Sequence, residues 1–411
     1  MKRVVITGIG VIASNGIGKD GFWDASLGGV SGVKPISLFD TADFLVKRAG
    51  EASNFDPAQI LGPKGLRTLD RSTKLVCSAA KLAFEDAHFE VCEENSQEVG
   101  VVVGTSLGSI HSIAEFDRVS ITEGPQYVNP AFFPNTVINS PASQVSIKFG
   151  IRGFNSTIAT GFCSGLDGIG YAAHFLRQGR IKAVLAGGVE ELCIETFLGF
   201  YNTKCLAGIN NGGVEVSCPF DKRRNGVILG EGGALVVLEE LEHAQKRNAP
   251  IYAEIVGYGQ GFDGQEVEAY NPKGEGLKRA MRAALEKAKV AVDKVDYICA
   301  AANSSPVADK IEASVIRDVF GDAADKVYVS SVKSMLGETM NASGALHAIA
   351  SVGALEKQMI PPTINYREAD PECNLNHVTN QAHSCKIEKV LINAFGPGGY
   401  NSSIVISKFR G

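Results

Sequence analysis

Residues 156–170, STIATGFCSGLDGIG, form the stretch from which the fold of this chain can be worked out. Residues 156–160 predict a strand, glycines 161 and 165 flank a tight turn, and Asp167–Gln178 carries apolar residues at helical spacing. A cysteine at such a corner is a place where a nucleophile is built. The stretch therefore poses the question of whether Cys163 is that nucleophile.

Strand and helix patterns alternate along the rest of the chain. Continuous apolar runs, which are typical of strands covered on both faces, lie at Val4–Ile6, Val99–Val103, Ser156–Thr160, Ala183–Gly187, Leu235–Leu238, Tyr252–Val256, Tyr297–Ala301, Val327–Val332, Val390–Ala394 and Ser402–Ser407. Further helical patterns lie at Leu66–His88, Gly276–Ala288 and Ala342–Lys357. This alternation predicts a layered α/β fold.

The two halves of the chain resemble each other weakly. Each half opens with a strand that ends in G-x-G, at Gly8–Gly10 and at Gly257–Gly259. Each later has a strand, a corner rich in serine and glycine (residues 160–166 and 331–338) and a helix of small residues. We interpret this as a duplicated fold, with an N-terminal half at residues 1–250 and a C-terminal half at 251–411.

Composition excludes several classes of function. The 411 residues carry a formal net charge of −5, so no basic stripe is available to neutralise nucleic-acid phosphates. No run of 18 apolar residues predicts a membrane span. The 9 cysteines are scattered without CxxC spacing, which indicates neither a zinc site nor a disulfide framework. A cytoplasmic location is the expectation that follows.

The motif Gly8-Ile9-Gly10-Val11-Ile12-Ala13 matches the dinucleotide fingerprint G-x-G-x-x-A. That function requires a helix at once and an acidic residue about 20 positions later, at the end of a second strand. Turn residues follow instead, at 14–16. We therefore interpret the glycines as a tight strand-to-helix turn.

Four motifs identify a family resemblance along the whole chain. They are PFDKRRNGVILGEGGALVVLEELEHAQKR (219–247), VSSVKSMLGE (329–338), IPPTINY (360–366) and NAFGPGGYNSS (393–403). They resemble the β-ketoacyl synthases, the condensing enzymes of fatty-acid and type II polyketide synthesis. The resemblance implies a thiolase-like duplicated fold, a five-layer α-β-α-β-α sandwich, and a dimer joined across the first-half sheet.

The family nucleophile belongs to a corner motif T-A/G-C-x-S-G. Aligning Thr160, Gly161, Ser164 and Gly165 with that motif places Phe162, not Cys163, at the nucleophile position. A shift of one residue turns a side chain by about 100° around a helix. We therefore expect Cys163 to point away from the cleft and the ring of Phe162 to fill it.

Both family histidines are also replaced. In N-A-H-G-T-S-T-P, counting back from Pro306 places Ala301 at the first histidine; in K-S-x-x-G-H, Glu338 follows Gly337 in place of the second. Neither residue offers the imidazole N–H that stabilises an enolate, and a carboxylate repels a malonyl group.

Other family residues are retained. Lys333, Asp309 and Glu312 match the structural polar residues of the family, and Phe395 matches the phenylalanine of the gate loop, although Pro397 replaces the usual second aromatic residue. A retained scaffold without its nucleophile and histidines predicts a chain with no catalytic residues.

This pattern is similar to that of chain length factors, the β subunits of type II polyketide ketosynthases. The resemblance implies a heterodimer with a catalytic ketosynthase, an acyl carrier protein as second partner, and no cofactor or metal, since the substrate chain is carried on the carrier protein's phosphopantetheine. Those subunits usually have glutamine at the nucleophile position. That glutamine has been linked to decarboxylative priming of the acyl carrier protein. Phe162 has no donor or acceptor for such a role, so priming is not assigned to this chain.

A length gate acts sterically, because further extension has to displace packed side chains. The resemblance places Leu107 in the acyl pocket at the dimer interface, with Ile110, Ile113 and Phe116 on one face of the following helix. Phe132 and Phe133 align with the interface loop. We call these six the gate residues; the alternative is that they form an ordinary interface core.

Two other functions remain open from the sequence. Cys163 could serve an acyltransferase or thioesterase acting on carrier-protein thioesters, with His347, or a histidine that the sequence does not identify, as its partner. The chain could also be a self-associating scaffold without a tunnel. His347 itself lies in an apolar helical pattern that favours packing over catalysis.

Overall fold

Strands and helices alternate through the structure, a computed structural model that describes residues 2–411. The helices are α1 (Lys19–Leu27), α2 (Pro57–Leu61), α3 (Arg71–Asp86), α4 (Ile110–Thr122), α5 (Ser140–Phe149), α6 (Ser164–Arg177), α7 (Ile194–Asn202), α8 (Leu241–Lys246), α9 (Glu275–Ala288), α10 (Pro306–Phe320), α11 (Lys333–Leu336) and α12 (Ser343–Lys357). The strands are β1 (Val4–Ala13), β2 (Gly16–Ile17), β3 (Lys34–Pro35), β4 (Arg48–Ala49), β5 (Val99–Gly104), β6 (Asn155–Ile158), β7 (Ala183–Glu190), β8 (Gly232–Glu240), β9 (Ala253–Phe262), β10 (Tyr297–Cys299), β11 (Tyr328–Ser330), β12 (Met359–Ile360), β13 (Asn376–His377), β14 (His383–Ser384), β15 (Lys389–Phe395) and β16 (Tyr400–Lys408).

The main strands form two groups with the same spatial order. In the first half the order is β6-β5-β7-β8-β1, and in the second half it is β11-β10-β15-β16-β9. Numbered within each half, both read 3-2-4-5-1. The groups join where β1 pairs with β9, through Val5 opposite Glu254 and Ile6 opposite Ala253. These ten strands are the ten predicted from apolar runs, with shifted ends.

Helices cover both groups of strands and lie between them. α3 and α5 pack on the outer face of the first group, and α9 packs on the outer face of the second with α10 beside it. α6 contacts β5 and β7, α12 contacts β15, and the two helices pack against each other in the centre. The five-layer α-β-α-β-α sandwich predicted from the resemblance is confirmed.

The glycines at 8 and 10 do not form the predicted strand-to-helix turn, and that prediction is wrong. β1 runs through both glycines without a break. A Cβ on Gly10 would overlap the carbonyl oxygen of Ala79, and one on Gly8 would overlap that of Ala83, both on α3. The motif therefore serves close packing of a helix on a strand. The same contact recurs in the second half, where Gly259 meets Ala280 of α9.

β6 forms an edge of the first group, so one side of its backbone has no partner strand within residues 2–411. Large apolar side chains are exposed in the neighbouring segments, including Ile121 at 82%, Phe133 at 59% and Ile147 at 71%. An exposed edge strand and an apolar surface are features of association sites. Within residues 2–411 no helix is long and apolar enough to cross a membrane.

Candidate functional site

The corner at residues 160–165 turns Cys163 into the protein interior. Gly161 adopts φ 54°, in the left-handed region that glycine tolerates, and α6 begins directly after Cys163. The Cys163 side chain is fully buried, and its Sγ donates to the backbone oxygen of Ala394 at 3.2 Å. Burial raises the pKa of this thiol well above its ordinary value, and the nearby carboxylate of Asp167 adds to the rise. Cys163 is therefore a packed thiol rather than a thiolate nucleophile.

Phe162 lies half-buried at the turn, against the loop that follows β15. A Cβ on Gly396 of that loop would lie 2.9 Å from the Phe162 ring, so the ring and the loop are in direct contact. The ring also stacks on Phe200 of α7, with 6.2 Å between the centroids. An aromatic side chain thus occupies the position at which the family motif has its cysteine.

Glu338 is buried, and its carboxylate is held by four donors. Nζ of Lys333 and Nδ2 of Asn303 each donate to Oε2 at 2.7 Å. The backbone N–H of Met340 and Oγ of Ser343 each donate to Oε1 at 2.8 Å. The carboxylate is therefore neutralised and fully hydrogen-bonded, which are the conditions under which a buried charge is tolerated.

The sequence alone does not predict this pairing. It places Lys333 among the retained residues and Glu338 at a lost histidine, without a link between them. The roles of Asn303 and Ser343 as donors to Glu338 emerge only from the structure. The available signal is the spacing: the carboxylate lies five positions after the lysine, and three of the five residues 339–343 are polar.

Ala301 places a methyl group where the family motif has its first histidine. It is buried, and its backbone N–H donates to Oε1 of Glu312 at 2.9 Å. Nδ2 of Asn393 donates to the same oxygen at 3.0 Å. The segment 301–304 is thus held by its backbone and presents no imidazole.

Asp309 fixes the same segment from the other side. Its carboxylate accepts the backbone N–H groups of Phe220 and Asn303 at 2.9 Å and of Ser304 at 3.2 Å. Burial raises the pKa of Asp309 to about 6 and that of Glu312 to about 7. Both residues hold backbone in place, which is a structural contribution that does not require a substrate.

Phe395, at the end of β15, is buried and packs edge-to-face against Tyr270, with ring centroids 5.9 Å apart. A cavity of about 10 Å³ lies beside these two rings and is lined also by Gly396 and Asn401. That volume accommodates about one water molecule. The packed rings leave no space here for an acyl chain.

His347 lies on α12 and is buried. Burial, together with the positive charge of Lys333, lowers the pKa of His347 to about 3. Within residues 2–411 neither ring nitrogen makes a hydrogen bond of good geometry, and a contact with the backbone of Asn393 opposes the lowering only in part. An imidazole with that pKa is a weak base at neutral pH. The geometry therefore does not favour the alternative function with Cys163 as nucleophile and His347 as its base.

The gate residues lie on α4 and on the loops before and after it, and the structure brings only some of them together. The rings of Phe116 and Phe133 lie 6.1 Å apart between centroids. Phe116 and Phe132 line a surface groove of about 330 Å³ between α4 and residues 127–132. The other four, Leu107, Ile110, Ile113 and Phe133, are not among the residues that line the groove.

Comparisons with known proteins agree with this scaffold. Family models of the β-ketoacyl synthase N-terminal and C-terminal domains match residues 1–244 and 252–367. The chain is 41% identical over 408 residues to the 3-oxoacyl-[acyl-carrier-protein] synthase 2 of Coxiella burnetii, with 99% of each chain covered.

Solved structures show the same similarity. The ishigamide ketosynthase/chain length factor superposes with a TM-score of 0.93 at 33% identity, covering 100% of both chains. A type II PKS acyl-carrier protein in complex with its ketosynthase bound to the hexaketide gives a TM-score of 0.90 at 29% identity, covering 99% of this chain and 100% of that one. The thiolase-like fold predicted from the resemblance is confirmed.

Alkylation tests the burial of Cys163. We expect iodoacetamide to modify the exposed Cys92 in the folded protein and to modify Cys163 only after denaturation, because a buried thiol with a raised pKa is inert. Peptide mass spectrometry measures both sites in one sample. Modification of native Cys163 at a rate similar to that of Cys92 would contradict the placement.

The pH dependence of stability tests the buried carboxyl of Glu312. Its pKa rises from 4.5 to about 7 in the folded state, so its contribution to stability is present below pH 4.5 and lost as the pH rises through about 7. The full loss amounts to about 3 kcal/mol. Glu312→Gln cannot ionise at this position. We therefore expect its thermal midpoint to change less with pH, between pH about 5 and about 8, than that of the wild type.

The matched control for this measurement is Glu286→Gln, at an exposed position on α9. It should leave the pH profile of the thermal midpoint as in the wild type. An unchanged profile in Glu312→Gln would show that Glu312 is not the group that titrates.

Proposed function

The chain belongs to the β-ketoacyl synthase family, and we propose that within it the chain is a non-catalytic chain length factor. In this role it pairs with a catalytic ketosynthase and shapes the tunnel that holds a growing polyketide in type II polyketide biosynthesis. The observation that carries the proposal is the buried Lys333–Glu338 pair, which stands where the family has a histidine.

Condensation requires groups that these positions do not supply. A thiolate has to accept the acyl chain, and neutral N–H donors have to stabilise the enolate oxyanion. Loss of one oxyanion donor alone costs about 10²–10³ in rate. At the three positions the chain has a phenyl ring, a methyl group and a carboxylate whose lone pairs are already occupied. The scaffold is therefore retained without the groups that condensation requires.

Overall identity does not decide between a catalytic and a non-catalytic role. The Coxiella relative carries the name of a synthase, and a solved ketosynthase/chain length factor has nearly the same backbone as this chain. Both likenesses reflect the scaffold, which the two roles share. The replacements at Phe162, Ala301 and Glu338 concern the chemistry itself, and we give them the greater weight.

The proposed partners follow from this role. A catalytic ketosynthase is expected on the first-half surface, where the β6 edge and the exposed apolar side chains lie. The second partner is an acyl carrier protein, whose phosphopantetheine carries the substrate chain, so this subunit needs no cofactor of its own. The gate residues on that same surface would then limit how far the chain extends.

Assembly is the direct test of the partnership. The chain should co-purify with a catalytic ketosynthase encoded in its gene neighbourhood as a 1:1 heterodimer, measured by light scattering after gel filtration. The pair should elongate malonyl thioesters on the carrier protein. A stable homodimer that ignores the ketosynthase would favour a self-associating scaffold and contradict the proposal.

Truncation of the gate residues tests the tunnel. Phe116→Ala and Phe133→Ala should each lengthen the product distribution of the assembled pair, because removal of a packed ring opens volume for further extension. Mass spectrometry of the released products measures the distribution. Asp117→Ala is the matched control, since Asp117 lies on the same helix as Phe116, is exposed, and is not one of the apolar side chains of the proposed interface.

If neither phenylalanine variant changes the products while the control also leaves them unchanged, these residues do not belong to the gate. Longer products from Asp117→Ala as well would mean that any truncation on α4 loosens the complex, and the specific assignment of the rings would be contradicted.

A further inference from the structure

A buried polar cluster outside the altered centre holds the beginning of α4. Glu190, the last residue of β7, and Glu191, the next residue, are 0% and 2% exposed. Asn341 lies at 2% exposure just before α12, and Thr105 is fully buried just after β5. None of these residues takes part in the proposed loss of catalysis, so their polar contacts call for a different role.

The amide of Asn341 bridges Glu190 to the loop that precedes α4. Its Nδ2 donates to Oε2 of Glu190, and its Oδ1 accepts from Oγ of Ser106 at 3.0 Å. Because an amide offers both a donor and an acceptor, it can connect a carboxyl group to a hydroxyl. Ser106 also lies 3.3 Å from Oγ of Ser164 at the start of α6.

Thr105 attaches the same loop to Glu190 at a second point. Its Oγ1 donates to Oε1 of Glu190 at 3.3 Å and accepts the backbone N–H of Gly108 at 3.0 Å. The backbone N–H of Thr105 donates to the carbonyl of Ile158, on the edge strand β6. Residues 105–108, which include the gate residue Leu107, are therefore held in place by hydrogen bonds to buried side chains.

Glu191 holds the first turn of α4. Its carboxyl group accepts the backbone N–H of Ser72, at the start of α3, at 3.0 Å, and that of His111 at 3.4 Å. A carboxyl group near free N–H groups at a helix start is a favourable arrangement. Burial raises the pKa of Glu190 and of Glu191 to about 8, and the hydrogen bonds that these carboxyl groups accept oppose that rise.

The cluster also connects the gate to the altered centre. Asn341 lies three residues after Glu338, and the backbone N–H of the intervening Met340 donates to the Glu338 carboxylate. One short segment, residues 338–343, therefore contributes both to the Lys333–Glu338 pair and, through Asn341, to the loop before α4.

We propose that Glu190, Glu191 and Asn341 are positioning residues that determine the length of the product by fixing where α4 begins. The inference rests on the proposed function and deepens it, because it adds residues outside the groove to those that determine chain length. These residues act on the substrate only through the placement of α4 and its side chains.

Asn341→Ala in the assembled heterodimer tests this inference. It removes the bridge between Glu190 and Ser106 while leaving the groove side chains in place. We expect the heterodimer to form. The ratio of the amounts of products of neighbouring length should change about three- to tenfold, which corresponds to the net contribution of about one hydrogen bond. Products are measured by mass spectrometry, and the thermal midpoint is measured on the same sample.

Ser351→Ala is the matched control. Ser351 is buried on α12, and its hydroxyl lies beside the thiol of Cys299 rather than in the Asn341 bridge. It should leave the product ratio unchanged. A merely structural role for Asn341 would lower the thermal midpoint of Asn341→Ala with wild-type products, and that result would overturn the inference.

Ser106→Ala covers the case in which Asn341→Ala does not fold, because it breaks the same bridge at its more exposed end. Wild-type products from Ser106→Ala in that case would overturn the inference. A failure of the positioning role can be distinguished from a failure of the proposed function. If Phe116→Ala shifts the products and these variants do not, the positioning role alone fails; if no heterodimer forms with wild-type chain, the proposed function fails.

Discussion

The buried ion pair between Lys333 and Glu338 is the interaction on which the altered centre depends. Two opposite charges lie 2.7 Å apart where both side chains are nearly inaccessible to water. Removing one partner of such a pair costs about 3–5 kcal/mol, because the other charge is left uncompensated. The carboxylate is therefore tied to Lys333 and to three further donors. A group so held is unavailable to move protons or to stabilise an anionic intermediate.

The duplicated scaffold explains how the proposed loss of condensing chemistry is compatible with a retained shape. Two five-stranded groups of identical order place their corners around the central helices α6 and α12. Asp309 and Glu312 hold the loop at residues 301–304 through its backbone, so the loop keeps its path with alanine at position 301. The closed contact between Phe162 and Gly396 completes the packing on the other side.

Much of the fold could be predicted from the sequence, because its signals are local. The ten main strands are apolar runs. The register of Cys163 comes from the resemblance to the family motif, and helix geometry adds that its side chain points away from the cleft, with which the buried thiol agrees. The glycines of β1 mislead because a close strand-to-helix contact and a tight turn use the same residue type. The donors to Glu338 and the Asn341 bridge to Glu190 could not be predicted, since these partners are brought together only by the fold. Asn341 and Glu190 are 151 positions apart in the chain.

The absence of condensing chemistry is tested most directly by the purified chain alone, supplied with acyl and malonyl thioesters on a carrier protein. Release of carbon dioxide and formation of elongated product are followed together, with the assembled heterodimer as the positive control. The expected result is neither product above the background without protein, alongside turnover by the heterodimer. Malonyl-dependent elongation by the chain alone would contradict the claim that Phe162, Ala301 and Glu338 leave this centre without catalytic groups.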